Sequence, residues 1–424
     1  MPDRRRRPVP PPFRPTFWRS PLRGAWLTAA LGSILLVGLT VVALTGLVSY
    51  AAYDPGLAGN DLTPAHGLLG FYLFNWPTRP SWLYAATQGT HVTLGLALVP
   101  VVLAKLWSVI PRLFALPPVR SPAQALERLS VALLVGSALF EFATGIVNIQ
   151  VYYPFHFSFY TGHLYGAWVF IAAFVGHAAI KLPTVRRAYR VRGALAPLRD
   201  DLAHTTPEPY TADGLVALAP AAPTVSRRGL LALVGGGSLT LLLVSVGQSI
   251  GGPLRRLALL APHGRSLGSG PNDFQINKTA ASVGITAAQT GASWRLVIRG
   301  HSQRSLSRAD LLELSQRQAS LPIACVEGWS TTQSWTGVRL RDLAVLAGVA
   351  GDAELLVESL QKGGALREVT LSSGQVAAEN SLLALKVNGE DLSLDHGFPA
   401  RVIIPGAPGV HQTKWVSTMK FQAA

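Results

Sequence analysis

Cysteine is nearly absent: Cys325 is the only one in 424 residues. That excludes an intramolecular disulfide, a cysteine-ligated iron–sulfur cluster and a multi-cysteine zinc site. Methionine is almost as scarce, with Met1 and Met419 alone. Neither lies in an apolar run, so a metal buried among apolar helices has no thioether to use. Charge is thin as well, at 14% of residues against about 25% in a soluble domain, which argues against an ordinary soluble enzyme. Disorder needs low hydrophobicity, and here 49% of residues are hydrophobic. The length leaves room for two or three domains at roughly 150 residues each.

What the chain does have is basic charge, a formal net +15. Its position decides its meaning. Uncharged runs cover Gly24–Tyr53, Pro80–Ala104, Leu129–Phe140 and on past Glu141 to Ile180, and Gly229–Leu254. Each segment is close to or above the ~20 residues that cross a bilayer core. They predict five transmembrane helices near 25–50, 82–106, 129–150, 160–181 and 229–251. Assigned to alternate sides, the tail, the 105–128 loop and the 181–228 loop hold 19 Lys and Arg, and the opposite side holds only Arg79. This bias places the N-terminus in the cytoplasm and everything after the fifth helix outside. The charge reads as a topology signal, and a nucleic-acid partner is not expected.

The expected organisation is multi-domain. A basic, Pro-rich tail covers 1–23 and a four-helix all-α membrane domain 24–182. A cytoplasmic linker follows over 183–227, then a fifth transmembrane helix over 228–252. From 253 to 424 the texture is α+β. Trp294, Leu296 and Ile298 alternate with charged or exposed-type neighbours, a half-buried strand. Ser307 and Asp310 form a capping box before a short helix. Leu321–Glu327, Leu355–Ser359 and Arg401–Pro405 read as strands, and Asn388-Gly389 as a hairpin turn.

Three histidines fall in predicted spans: His91 in the second, His163 and His177 in the fourth. Histidine is the ligand type left for a buried haem b iron once methionine is excluded. His163 and His177 are 14 residues apart, on one face and ~21 Å apart along a helix axis. His91 must serve any haem ligated from two helices within the spans, and depth slightly favours His163 as its partner over His177. A second haem would need His66 or His156 from the external loops. The plainer alternative is that each histidine makes a helix–helix hydrogen bond. Glu141, mid-span in the third helix, is costly to bury, and it is a candidate for proton transfer at a quinone site or a structural acid facing the bundle. Glu141–Val151 with Tyr160–Lys181 resembles the cytochrome b561-type anchors of bacterial respiratory enzymes, a likeness covering about 25–182.

Taken alone, Cys325 is a small buried hydrophobe. Its context differs. Leu321-Pro-Ile-Ala-Cys325-Val-Glu327-Gly-Trp329-Ser330, followed by Trp335-Thr-Gly337 and Arg339-Leu340-Arg-Asp-Leu343, resembles the molybdenum-binding segment of the sulfite oxidase superfamily. The likeness is strongest to the methionine sulfoxide reductase catalytic subunit of bacterial periplasms. Further matches follow in order: Pro271–Gln275, Val387–Leu392, His396–Arg401, Ile404–Gly406 and Lys414-Trp415. The resemblance implies a sulfite-oxidase-type fold over about 272–421. It implies molybdenum ligated by the Cys325 thiolate beside a pterin dithiolene, since one soft thiolate suits that metal. It places Asn272, Gln275, Ser359, His396, Arg401, Gln412, Thr413 and Lys414 at cofactor-contacting positions, with Arg401 and Lys414 suited to the pterin phosphate. Gln275 stands where the family has an aromatic, Ser359 for a threonine and His396 for an asparagine, so substrate preference need not carry over.

Ser226-Arg227-Arg228-Gly229-Leu230-Leu231 resembles a twin-arginine export signal, which would implicate that machinery as a partner; the alternative is two ordinary positive-inside arginines. Three functions follow. Electrons pass from quinol through haem b to an extracytoplasmic S-oxide or N-oxide; or a sulfite-like donor is oxidised and feeds the quinone pool; or the outer domain is a cofactor-free binding module on a membrane anchor. The missing cation near Cys325 in sequence favours a neutral substrate over sulfite. The charge bias yields a first prediction. A reporter fused after Ala424 is active only if it is a type that works outside the cytoplasmic membrane. Activity of a cytoplasm-only reporter there would overturn the topology.

Overall fold

The structure is a computed structural model and describes residues 10–62, 74–114, 121–210, 214–349, 351–364 and 367–423. Five long helices come first: α1 Ala25–Ala51, α2 Leu83–Val109, α3 Pro122–Ile149, α4 Phe159–Arg192 and α5 Arg227–Ile250. By length and composition all five are apolar enough to cross a membrane. The chain divides into two compact units, and the division falls within each of these helices. One unit holds 1–41, 94–143 and 164–242; the other holds 42–93, 144–163 and 243–424.

In the first unit, polar groups at helix ends find specific partners. The Glu208 carboxylate accepts from the backbone N–H groups of Ala25 (2.8 Å) and Trp26 (3.2 Å), capping α1 where an anion also favours the helix dipole. Lys105 Nζ donates to the Thr28 carbonyl at 2.6 Å, and Lys181 pairs with Glu127 at 2.5 Å, tying α2 to α1 and α4 to α3. Helix α4 runs to Arg192, beyond the apolar run expected to end near 181. Its basic final turn, with Arg190 and Arg192, suits the negative end of the helix dipole. Arg227 opens α5 fully buried, and its Nη2 donates to the Thr206 carbonyl at 2.9 Å.

The second unit contains the α+β domain. Its strands are β1 Leu296–Arg299, β2 Gln303–Leu306, β3 Arg317–Ala324, β4 Ser330–Arg339, β5 Ala353–Ser359, β6 Glu368–Leu371, β7 Leu382–Val387, β8 Glu390–Asp391, β9 Arg401–Ile403 and β10 Val416–Ala423. Short helices α6 Ala287–Thr290, α7 Arg308–Glu313, α8 Leu340–Leu346 and α9 Ser373–Ala377 lie between them. One sheet has the order β2-β1-β10-β5-β6, in which β1 and β10 are parallel. The other has the order β3-β4-β7-β8, with β9 also paired to β7. Strand β7 is buried on both faces. Leu383 and Leu385 enter a core with Leu296, Leu355, Val402 and Met419, whereas Leu382 and Ala384 enter a second core with Leu321, Ile323, Cys325 and Trp335. That follows from the period-2 alternation of a strand covered on both sides.

Local signals in the sequence agree with these elements. Ser307 accepts from Asp310 N–H at 3.2 Å and Asp310 reciprocates at 2.8 Å. Asn388 (φ 50°) and Gly389 (φ 88°) make the β7–β8 turn. One expectation is corrected: the strand near Leu321–Glu327 stops at Ala324, because Cys325 begins a tight turn.

Candidate molybdenum and cofactor site

The cysteine turn leaves β3 on the side of the second core. Gly328 N–H donates to the Cys325 carbonyl and Cys325 N–H donates to the Trp329 carbonyl, both at 3.0 Å. Gly328 closes the turn at φ +87°, a conformation that favours glycine. A backbone bridge from Ala324 to Pro408 brings the turn beside the 408–414 segment. Cys325 is 3% exposed. Burial first, and then the neighbouring Glu327, push its thiol well above the usual range. Such a thiol stays protonated unless a cation arrives; a coordinated metal ion reverses that balance and deprotonates it.

Two buried cations stand in the same region, and among the described residues neither is ion-paired with a carboxylate. Strand β9 carries Arg401, 3% exposed, whose Nη1 donates to the His396 carbonyl at 3.3 Å and whose guanidinium lies over Trp335. Burial lowers its pKa to about 9, and the Cys325 charge acts in the opposite direction. Lys414 Nζ donates to the carbonyls of Lys278 (2.6 Å) and Asp395 (2.8 Å). Burial pulls its ammonium well below the ordinary range. Among the described residues neither cation forms an ion pair. Uncompensated buried charge costs several kcal/mol, and a phosphate would offset it.

The surrounding polar atoms agree with that reading. His396 Nδ1, Arg401 Nε, Gln412 Oε1 and Thr413 Oγ1 are all buried with no hydrogen-bond partner in the protein. Each such group costs about 1–3 kcal/mol, and each calls for an explanation, of which a polar ligand that fills the site is one. His396 Nε2 meets the Asn272 carbonyl at 2.9 Å, and a carbonyl can only accept, so Nε2 carries the proton and Nδ1 is left as an acceptor. Its ring stacks on Phe274 at 3.6 Å, and burial lowers its pKa to about 3. A group that offers donors, acceptors and an anionic phosphate fits this cradle, as molybdopterin would.

The remaining sequence-derived positions are more occupied. Asn272 is spent on the protein: Nδ2 donates to the Asp391 carbonyl at 3.0 Å and Oδ1 accepts from Ser393 N–H at 2.8 Å. Ser359 Oγ donates to the Lys414 carbonyl at 2.8 Å and so fixes the backbone that presents that lysine. Gln275 is buried beside Phe274 in sequence, at 5% exposure.

Of the histidines in the long apolar helices, His91 and His163 come together, with ring centroids 6.1 Å apart and planes at 85°. His91 Nδ1 donates to the Val42 carbonyl at 2.9 Å, and His163 Nδ1 bonds Thr144 Oγ1 at 2.9 Å. His177 lies 14 residues further along α4, half-buried. Glu141 lies against Gly166 of α4. His156 is exposed on the α3–α4 loop, and His66 lies outside the described residues. The sequence pattern did not single out Thr144 or His411. The latter is buried next to Gln412, with an unpartnered Nδ1 and its ring edge-on to Tyr53. Thr144 was findable as a polar residue one turn from Glu141; His411 carried no signal.

Comparison with known proteins bears on the outer domain. Residues 283–424 match the family described as oxidoreductase molybdopterin binding domain. This part of the chain is thus similar to molybdopterin-binding oxidoreductase domains, and its relatives include sulfite oxidases. The uncharacterised oxidoreductase YuiH of Bacillus subtilis (strain 168) is 33% identical over 131 residues, 30% of this chain and 65% of that protein. A nitrate reductase (NAD(P)H) of Hordeum vulgare is 42% identical over 98 residues, 21% of this chain and 11% of that protein. The mitochondrial sulfite oxidase of Mus musculus is 29% identical over 150 residues, 29% of this chain and 28% of that protein. The chain thus spans less than two thirds of the length of each relative.

Two predictions follow from this site. Cys325→Ser reaches the membrane at normal levels but loses turnover, because a hydroxyl cannot replace the thiolate as a soft ligand. Wild-type rates, or no molybdenum in the wild-type protein by elemental analysis, would return Cys325 to a packing role. Arg401→Met leaves the cofactor-free protein as stable or up to ~2 kcal/mol more stable, yet lowers its pterin content. Thermal melting and released-pterin fluorescence measure the two. A loss of stability with unchanged pterin would make Arg401 a packing residue.

Proposed function

We propose that the chain is a membrane-anchored molybdopterin-dependent oxidoreductase that passes electrons from quinol through haem b to an S-oxide or N-oxide outside the cytoplasmic membrane. The observation that carries the membrane half of this reading is the His91–His163 pair. Both rings have Nδ1 occupied, and the Val42 carbonyl forces the His91 proton onto Nδ1, which frees Nε2 as a metal ligand. Two metal–nitrogen bonds of ~2 Å with the ring radii give a centroid separation of about 6 Å, close to the 6.1 Å found. Gly46 and Gly145 face these rings without a side chain. His177 would serve at most a second site, ~21 Å along α4.

Molybdenum, when bound, supplies oxo-transfer chemistry at Cys325. The protein's own residues do the rest. Arg401 and Lys414 would hold the pterin's anionic end, and His396, Gln412 and Thr413 would satisfy its polar edge. Asn272 and Ser359 hold the loops that present these groups. Glu141, in the third span, is the residue suited to proton transfer at a quinone site. The positive-inside charge supports a cytoplasmic N-terminus and an external C-terminal domain. Arg227-Arg228 would engage the twin-arginine machinery, which exports domains that load their cofactor before crossing.

One observation favours the reverse direction, oxidation of a sulfite-like anion with quinone as acceptor. Arg401 lies over Trp335, which packs in the same core as Cys325, and an anionic substrate needs such a cation. Membranes assayed for quinol oxidation by S-oxides and N-oxides, and for quinone reduction by sulfite, decide between the two. The haem assignment has its own test. We predict that His91→Ala and His163→Ala each abolish the b-type reduced-minus-oxidised spectrum and that His177→Ala retains it. A spectrum unchanged in His91→Ala would leave the helices as an anchor only.

A further inference from the structure

Gln88 is an isolated amide in an apolar span, 7% exposed. Its Nε2 donates to the carbonyl of Val326 at 2.7 Å, the residue immediately after the cysteine. His91 is three residues further along α2, on the same helix face. Val92, next to His91, packs on the far end of the turn: a Cβ on Gly328 would come within 2.7 Å of the Val92 side chain. Only glycine permits that approach. Helix α5 pins the turn from a second direction. Ser249 Oγ donates to the Gly328 carbonyl and Ser330 Oγ donates to the Ser249 carbonyl, each at 2.5 Å. The backbone from Cys325 to Ser330 is therefore held directly against the stretch of α2 that carries His91.

We infer that this turn is the point where electrons enter or leave the outer domain, and that the Gln88–Val326 hydrogen bond is the link to the helix bearing His91. The inference rests on the haem reading of His91. The route runs from the His91 ring along the α2 backbone to the Gln88 side chain, across one 2.7 Å hydrogen bond, and through the Val326 peptide to Cys325. Every other step is covalent. Quinol gives up two electrons and two protons. The S-oxide takes two electrons and two protons, its sulfur–oxygen bond breaks, and water and the sulfide leave. A single b-type iron holds one electron at a time, so the bond is crossed twice per turnover. No diffusible carrier is required between the two centres. Gln88 is a positioning residue in this scheme and touches no substrate.

The test uses the full-length protein in its membrane. Gln88→Leu keeps a buried side chain of similar bulk and removes the donor. The variant should keep its haem spectrum, its haem midpoint potential, its molybdenum content and its molybdenum electron paramagnetic resonance signal. Quinol should reduce the haem at the normal rate, whereas re-oxidation by dimethyl sulfoxide should slow severalfold. If sulfite proves to be the donor, haem reduction by sulfite should slow instead, since the same bond is crossed in reverse. Normal rates with both centres intact would overturn the route alone. Loss of molybdenum or haem from Gln88→Leu would also overturn it, by making the amide a structural tie. Absence of any b-type signal in the wild-type protein would remove the haem reading, and the route with it.

Discussion

A thiol buried as deeply as that of Cys325 can ionise only against a cation. The rest of the C-terminal domain is arranged around that constraint. Burial and the nearby Glu327 both oppose the thiolate, so the protein on its own holds the sulfur in its protonated form. Nearby, Arg401 and Lys414 present the opposite deficit, positive charge held by carbonyls and aromatic faces and, among the described residues, in no ion pair. A cation that binds the sulfur and an anionic group that meets the two basic side chains resolve both deficits together. One molybdenum–pterin complex provides both parts. The unpartnered atoms of His396, Gln412 and Thr413 fall within the same stretch of chain, which is why the site reads as a cradle and not as a set of packing defects.

Much of this was legible because it depends on local pattern. Uncharged runs set the five long helices, since apolar length is a property of consecutive residues, although α3 starts at Pro122 instead of near 129 and α4 runs to Arg192 instead of ending near 181. The capping box at Ser307 and the Asn388-Gly389 turn were readable for the same reason. Strand β3 was misjudged at its end: Ile323 and Cys325 are both apolar enough to continue a strand, and only the hydrogen bond from Gly328 back to Cys325 shows that the chain turns there. The overrun of α4 to Arg192 was missed because its last turns are basic, and basic residues are stable in a helix whose end leaves the apolar layer.

The pairing of His91 with His163 needed the third dimension. Sequence spacing relates His163 to His177 on one helix, but it says nothing of which one faces α2. The same holds for the cations. Arg401 is far from Cys325 in sequence, so the segment after the cysteine seemed to lack positive charge; folding supplies it from β9. That change bears on substrate preference, because an argument for a neutral substrate built on residues adjacent to the cysteine loses its force once Arg401 stands close by.

Strand β10 has a consequence for the order of assembly. It lies in the middle of its sheet, parallel to β1 and antiparallel to β5. Without residues 416–423 the sheet falls into two separate pairs, β2-β1 and β5-β6. Nine α-helices and nine strands among the described residues thus precede β10 in the chain, and Lys414, immediately ahead of that strand, is placed only when it pairs. Until β10 has paired, the two buried cations are not positioned together. One strand therefore completes the cradle, and the group proposed to fill it meets a formed site only after that strand has joined its sheet.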